Sequence, residues 1–238
     1  MRALFDLTAA YEPTPEQRRD PVPPVEAVLF DFSNTLFHMV DTADWLRAVG
    51  GTTGREVPVA GTLDELAVAA ALPEVAAAQQ GRDLSDDAHR AAMRAWFSRV
   101  PVLRGVEDTA VDLLRAADAW VPYPDTADVL AALAERGVRV GVVSDIGWDI
   151  RVHARAAGVE HLVGTWVLSC ELGVEKPDPA MFTTACAALD VDPRATVMVG
   201  DNPGRDGGAV AVGCRVFLLP SEFRLGERGL GAVLSLLD

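Results

Sequence analysis

Lysine is almost missing from this chain. Of its 21 basic residues only Lys176 is a lysine, and the rest are arginines. Where a surface merely needs positive charge, such a composition supplies arginine. An ammonium kept at one place therefore points to a task unsuited to the guanidinium. Lysine is a compact point charge with three rotatable donors, whereas arginine is a broad planar fork. The competing reading, one lysine surviving a bias toward arginine, has to be weighed against its surroundings. Cysteine is scarce too. Cys170, Cys186 and Cys214 have no short paired spacing, which argues against a zinc motif or a disulfide framework and for free thiols in a reducing cytoplasm. No run approaches the roughly 20 apolar residues of a membrane span, and Met1–Ala10 lacks the apolar stretch of a signal peptide. Positive charge is in deficit overall. A net charge of -14 argues against nonspecific binding to nucleic acid, which needs clustered cations, and against an anionic membrane surface. It leaves an anionic small molecule possible, because local donors in a cleft can outweigh a distant acidic surface. The expectation is a soluble cytoplasmic protein, a monomer or homodimer, with neither nucleic acid nor membrane as partner.

What is present is apolar material. Half of the 238 residues are hydrophobic, enough for one large domain or for a core domain carrying an insertion. Pro13, Pro15, Pro21, Pro23 and Pro24 predict an extended arm over residues 1–24, since proline fixes φ and lacks the backbone donor. Val25–Phe32 (VEAVLFDF) then reads as a buried strand ending on an acid. From 41 to 121 the text is alanine-rich and helical, clearest at Leu63–Ala71, Asp86–Val100 and Thr109–Ala119. Beyond Pro122 strands and helices alternate. Asp125–Arg136 is predicted helical with Asp125 as N-cap and Gly137 as its stop. Val138–Ser144, Gly164–Ser169, Thr196–Gly200 and Arg215–Leu219 read as strands, and Asp149–Ala157, Pro179–Leu189, Arg205–Val212 and Leu230–Leu237 as helices. Near-continuous apolar strands alternating with helices predict an α/β fold, a Rossmann-like parallel sheet covered on both faces. The core domain would comprise 25–40 and 122–238, and 41–121 an inserted small all-helical cap.

Ligands of open parallel sheets bind beyond the carboxyl ends of the strands. Asp31, Ser144, Lys176 and Asp201 fall at or after such ends. Each has an ordinary local explanation as a turn residue or a helix cap, but four in this order are hard to assign to turns. The wording resembles the haloacid dehalogenase-like superfamily: Asp31-Phe32-Ser33-Asn34-Thr35-Leu36 after the first strand, Val143-Ser144-Asp145, Lys176-Pro177-Asp178-Pro179, and Gly200-Asp201-Asn202 with Asp206 beyond. The likeness runs from about Val25 to the end, and the helical block sits where that family carries its small cap.

The resemblance implies roles. Asp31 would be the nucleophile, forming a covalent intermediate. Mg²⁺ would be held by Asp31, the backbone oxygen of Ser33 and Asp201, with Asp206 orienting Lys176 or a metal-bound water. Ser144, Asp145 and Asn202 would help bind the phosphoryl group, and Lys176 would neutralise charge between it and Asp31. The substrate would be a small phosphorylated molecule. One position departs from the pattern. The family's phosphatases commonly carry a second aspartate two residues after the nucleophile, as the acid that protonates the leaving oxygen; here it is Ser33, too weak an acid for that task. A slow phosphatase, a phosphoenzyme that donates to another acceptor, a metal-free dehalogenase using Asp31, and a binding protein without turnover all stay open at this point. Asn34 or His38 could substitute in part, although Asn34 cannot act as an acid and His38 has an ordinary core or flap role as its alternative explanation. The Asp145 and Gly200-Asp201-Asn202 wording favours the Mg²⁺ reading over the dehalogenase, because Asp201 beside Asp31 and Asp206 is hard to tolerate without a cation.

Substrate choice is expected in the cap. Arg47, Arg55, Arg82, Arg90, Arg94, Arg99 and Arg104 are candidates for an anionic tail, Trp45 and Trp96 for a pocket wall or for core packing, and Gly50–Gly54 for a flexible loop.

Overall fold

The computed structural model describes residues 22–222 and 226–237, so most of the proline-rich arm expected over 1–24 lies outside the described residues. In chain order the elements are β1 (Ala27–Phe30), β2 (Phe37–Met39), α1 (Thr42–Thr53), α2 (Val59–Ala70), α3 (Pro73–Ala78), α4 (Asp86–Phe97), α5 (Glu107–Leu114) and β3 (Trp120–Pro122). They continue with α6 (Thr126–Glu135), β4 (Arg139–Ser144), α7 (Arg151–Ala156), β5 (Thr165–Leu168), α8 (Ser169–Leu172), α9 (Pro179–Leu189), β6 (Thr196–Gly200) and β7 (Arg215–Leu218).

The main sheet has the order β5-β4-β1-β6-β7, and every pairing in it is parallel. Its central strand β1 is buried at all four residues because both faces are covered, which is why it reads as an unbroken apolar run. Alternate residues feed two cores. Val28 and Phe30 pack with Val142, Leu168 and Val199 on one face, while Ala27 and Leu29 pack with Val143, Phe182 and Met198 on the other. The register places Phe30 opposite both Val142 and Val199, so the residues following β1, β4 and β6 emerge at one rim.

The stretch between β2 and β3 holds α1–α5 and has its own apolar core, built on Trp45, Leu46, Val49, Leu66, Met93, Phe97 and Leu103. Four features differ from the sequence reading. β2 and β3 form an antiparallel pair at the base of the helical stretch, with Phe37 opposite Pro122. Gly50–Thr53 is the last turn of α1, not a loop, and Gly54 ends it in the left-handed region at φ 68°. Residues 206–212 and 230–236 are 3-10 rather than α-helical. Asp125 precedes α6 but does not cap it. Its carboxylate instead accepts backbone N–H groups from Arg228, Gly229 and Leu230 at 2.8–3.0 Å, tying the C-terminal segment to the core.

Candidate active site

At the rim beyond β1, β4 and β6 the structure brings together side chains that lie up to 175 positions apart. Asp31 follows β1 directly, its N–H donating to Val199 O at 2.8 Å. The Lys176 ammonium lies 2.7 Å from Asp31 Oδ1 and 2.7 Å from Asp206 Oδ1. All three are buried, Asp206 completely. Asp206 can reach so far in because residue 200 is glycine: a Cβ there would stand 2.1 Å from Asp206 Oδ2. That same oxygen accepts Asn202 N–H at 2.9 Å.

Asp31, Asp201 and Asp206 each present a carboxylate oxygen within 4.8 Å of the other two. Lys176 offsets one of these charges, and the buried Arg228, 4.0 Å from Asp201, offsets a second. The remainder is felt at Asp31. Burial pushes its carboxyl up to about 6, with Lys176 pulling it down and Asp206 and Asp201 adding to the rise. Burial likewise raises Asp201, opposed by the hydrogen bond from Asn34. Burial works against the Lys176 ammonium, but Asp31, Asp206 and Asp145 outweigh it and hold the group above the ordinary lysine value. A knot of hard oxygens with surplus negative charge fits a divalent cation of the Mg²⁺ kind.

The other expected residues fall out differently. Ser144 ends β4 and is almost wholly buried. Asp145 borders the acid cleft, but its oxygens brace the loop: one accepts Lys176 N–H at 2.8 Å and the other the Arg205 guanidinium. Asn202 also borders the cleft, exposed, with its side-chain oxygen accepting Gly204 N–H at 3.0 Å. Ser33 lines the cleft and is half-buried. Asn34, named as a partial substitute although no acid, is engaged elsewhere: it sits at φ 56° and donates its amide to Asp201. His38 packs its ring 4.9 Å from Tyr123.

Sequence reasoning missed the supports of Asp201. Tyr123 donates to Asn34 Oδ1 at 2.8 Å, and Arg228 Nε donates to Asn34 O at 2.6 Å. Neither residue belongs to a motif: Tyr123 arrives at the end of β3, its N–H donating to Leu36 O at 3.0 Å, and Arg228 only with the chain's return past 220. Among the seven candidate arginines of the helical stretch, Arg82 alone borders the acid cleft. Arg47, Arg90, Arg94 and Arg99 pair with acids of their own helices or neighbours, and Arg55 and Arg104 donate to backbone carbonyls. The segment carrying Arg82 is pinned to the core by Ser169, which donates to Asp83 O at 2.6 Å and accepts Ile146 N–H at 2.8 Å.

A family profile described as haloacid dehalogenase-like hydrolase matches residues 25–213. The chain belongs to this family. Within it the chain is 31% identical over 202 residues to a phosphoglycolate phosphatase of Rhodospirillum rubrum, covering 82% of this chain and 79% of that protein. A glyceraldehyde 3-phosphate phosphatase of Methanopyrus kandleri is 37% identical over 87 residues, 36% of this chain and 37% of the relative. A (S)-2-haloacid dehalogenase of Burkholderia cepacia is 28% identical over 128 residues, 53% of each. In several such relatives the chain thus spans little more than a third to a half of their length. Among solved structures, a 2-haloacid dehalogenase of Pseudomonas syringae superposes with TM-score 0.62 at 20% identity, covering 90% of this chain and 98% of that one. A phosphatase of the family from Thermococcus onnurineus superposes with TM-score 0.57 at 21% identity, covering 90% and 98%. At these identities the structural likeness speaks for the shared haloacid dehalogenase-like fold. Among the described residues no helix is long and apolar enough to cross a membrane.

Proposed function

We propose that this haloacid dehalogenase-like hydrolase is a Mg²⁺-dependent phosphatase acting on a small phosphate monoester. The observation that supports the reading is a third carboxylate: Asp206 is occupied in holding Lys176, but Asp201 stands with it and Asp31 around one point, a further negative charge that a metal-free displacement has no use for. Asp31, Asp201 and the backbone oxygen of Ser33 would hold the cation, which when bound neutralises phosphoryl and carboxylate charge. One Asp31 oxygen attacks phosphorus, an aspartyl-phosphate forms, and the ester oxygen departs with the bonding pair and takes a proton from solvent, which the proton lost by the attacking water in the second step replaces. Water then attacks phosphorus, releasing inorganic phosphate and restoring the Asp31 carboxylate. Lys176, held by Asp206, keeps its ammonium beside the attacking oxygen, so the positive charge is in place before the reaction and costs no reorganisation during it. Ser144 would hold a phosphoryl oxygen. The stretch 41–121 would serve as the substrate-selecting cap, presenting Arg82 to the cleft.

Ser33 gives the second reading its footing. A halide needs no proton to leave, so a 2-haloacid dehalogenase using Asp31 would not need an acid at that position. The two readings separate on one panel: phosphate esters and 2-haloacids, each with and without Mg²⁺. Phosphate release that requires Mg²⁺ and disappears in Asp31→Asn supports the phosphatase. Halide release in the presence of a chelator replaces it with the dehalogenase.

A further inference from the structure

Four of the five tryptophans gather around one space. Trp45, Trp96, Trp120 and Trp148, with Leu63 and Leu66, line a cavity of about 440 Å³ between the helical stretch and the core. Its size is that of a small-molecule site. Ser33, Arg82, Asp83 and Asp145 border both this cavity and the acid cleft, so the two spaces adjoin where a phosphoryl group and the body of its ester would meet.

The wall offers little to a polar guest. Each of the four indole N–H groups is already spent, on Ala110 O, Leu66 O, Leu114 O and the His153 ring nitrogen, at 3.0–3.2 Å. The tryptophans therefore turn only their carbon faces to the space. Arg82 gives one N–H to the Gln79 side chain at 2.8 Å and, with Ser33, Asp83 and Asp145, stands at the mouth shared with the acid cleft; away from that mouth the polar lining is Thr42 and His89. His89 is unpartnered: it is 3% exposed, it lines the cavity, and among the described residues neither of its ring nitrogens has a hydrogen-bond partner. An Asp83 carboxylate oxygen stands 3.6 Å from Nδ1, beyond a hydrogen bond. The place of His89 is fixed by Gly147, whose missing side chain lets the loop after β4 close on α4: a Cβ there would lie 2.4 Å from His89 Cβ.

Away from the mouth shared with the acid cleft, a sugar or nucleotide body would bury several hydroxyl or ring polar atoms with only the His89 imidazole and the Thr42 hydroxyl to satisfy them, and burying polar atoms without partners is costly. Building on the phosphatase reading above, we propose that the substrate is the phosphate monoester of an apolar alcohol, ring- or chain-bearing, with at most one further hydrogen-bonding group for His89.

The test compares three primary-alcohol esters with Mg²⁺ present: phenylethyl phosphate, ethyl phosphate and glycerol phosphate. Their scissile oxygens are alike, so differences in kcat/KM report the fit of the body. Phenylethyl phosphate is expected to exceed the other two by about tenfold or more, the effect of burying a phenyl group's surface. Leu63, at the cavity's exposed edge, gives a fold-neutral variant: Leu63→Trp narrows the space and should cut the phenylethyl-to-ethyl ratio by about tenfold. Equal rates, or a preference for glycerol phosphate, overturn the proposal and leave the phosphatase intact. Failure to hydrolyse any of the three, or acetyl phosphate, overturns the phosphatase instead. Binding gives an independent reading, since phenylethylphosphonate should shift the tryptophan fluorescence and ethylphosphonate should not. No shift with either ends the apolar-body inference on its own.

Discussion

Tyr123 fixes which way the Asn34 amide faces. Its hydroxyl donates to Asn34 Oδ1 at 2.8 Å, so the amide nitrogen, and not its oxygen, is turned to Asp201. Asn34 is held from below as well, where Arg228 Nε donates to its carbonyl at 2.6 Å while the guanidinium lies 5.6 Å over the Tyr123 ring. Asp201 thus keeps its orientation through a residue chain that ends on a buried phenol.

Tyr123→Phe removes the hydroxyl and keeps the packing of a side chain that is 1% exposed. Asn34 then loses the bond that fixes its amide, and a flipped amide would set oxygen against the Asp201 carboxylate. A neutral hydrogen bond contributes about 1 kcal/mol, so the Mg²⁺ concentration for half-maximal activity should rise about fivefold. The rate at saturating Mg²⁺ should change by less than about twofold, because Tyr123 touches no reacting atom. A Mg²⁺ titration of both proteins checks this; an unchanged midpoint with a lowered kcat would place Tyr123 in the chemistry instead.

Lys176→Met leaves Asp31 and Asp206 facing each other without the ammonium between them, 2.7 Å from each in the native protein. Removing one member of a buried ionic group costs about 3–5 kcal/mol, which a urea transition in the absence of metal would register. Lys176→Arg keeps the charge but brings a wide fork into a site where the lysine is 4% exposed, and it should lose activity by at least about a hundredfold. An active arginine variant would remove the ground for treating the solitary lysine as a requirement of the site.

That lysine marks how much of the site the sequence alone could reveal. β1, β4, β6 and α9 were legible because strands buried on both faces read as unbroken apolar runs and because Asp178-Pro179 starts a helix, its carboxylate accepting Ala180 N–H at 2.8 Å. The rim positions of Asp31, Ser144 and Asp201 followed from those strands. β2 and β3 were not legible: each is three residues long, and their pairing joins segments more than eighty positions apart. Asp125 looked like a helix cap because its neighbours are helical, yet its carboxylate serves a segment a hundred residues on. The cavity was illegible for the same reason, since Trp148 and Trp45 meet only when the helical stretch folds over the core.

Ser33→Asp restores an acid where the leaving oxygen needs a proton. Position 33 lines both the acid cleft and the apolar cavity, so a carboxyl there stands between the phosphoryl group and the ester body. General acid–base catalysis contributes typically 10²–10⁴-fold; a grafted group without evolved support should recover about tenfold or more in kcat on an alkyl phosphate. The gain should shrink with an aryl phosphate, whose leaving group needs less protonation. No gain on either, with Mg²⁺ affinity unchanged, would show that turnover is not limited at this position.

Asp31→Asn should stabilise the metal-free protein while abolishing turnover. In the folded protein the Asp31 carboxyl is pushed up to about 6 from the ordinary 3.8, chiefly by burial. Between these values the folded state holds the proton more firmly than the unfolded chain does, so stability falls as pH rises through this window and does not recover above it. The full difference corresponds to a penalty on the order of 2–3 kcal/mol above pH 6. Asparagine resembles the neutral carboxyl at every pH and escapes it. In a chelator, the variant's melting temperature should exceed that of the native protein by several degrees at pH 8 and match it near pH 4. Adding Mg²⁺ should raise the native protein at pH 8 and leave the variant nearly unmoved, since the cation offsets a charge the variant no longer carries. A variant less stable than the native chain at pH 8 would mean that Lys176 more than compensates for the burial of Asp31, and that the three carboxylates do not need a cation to coexist.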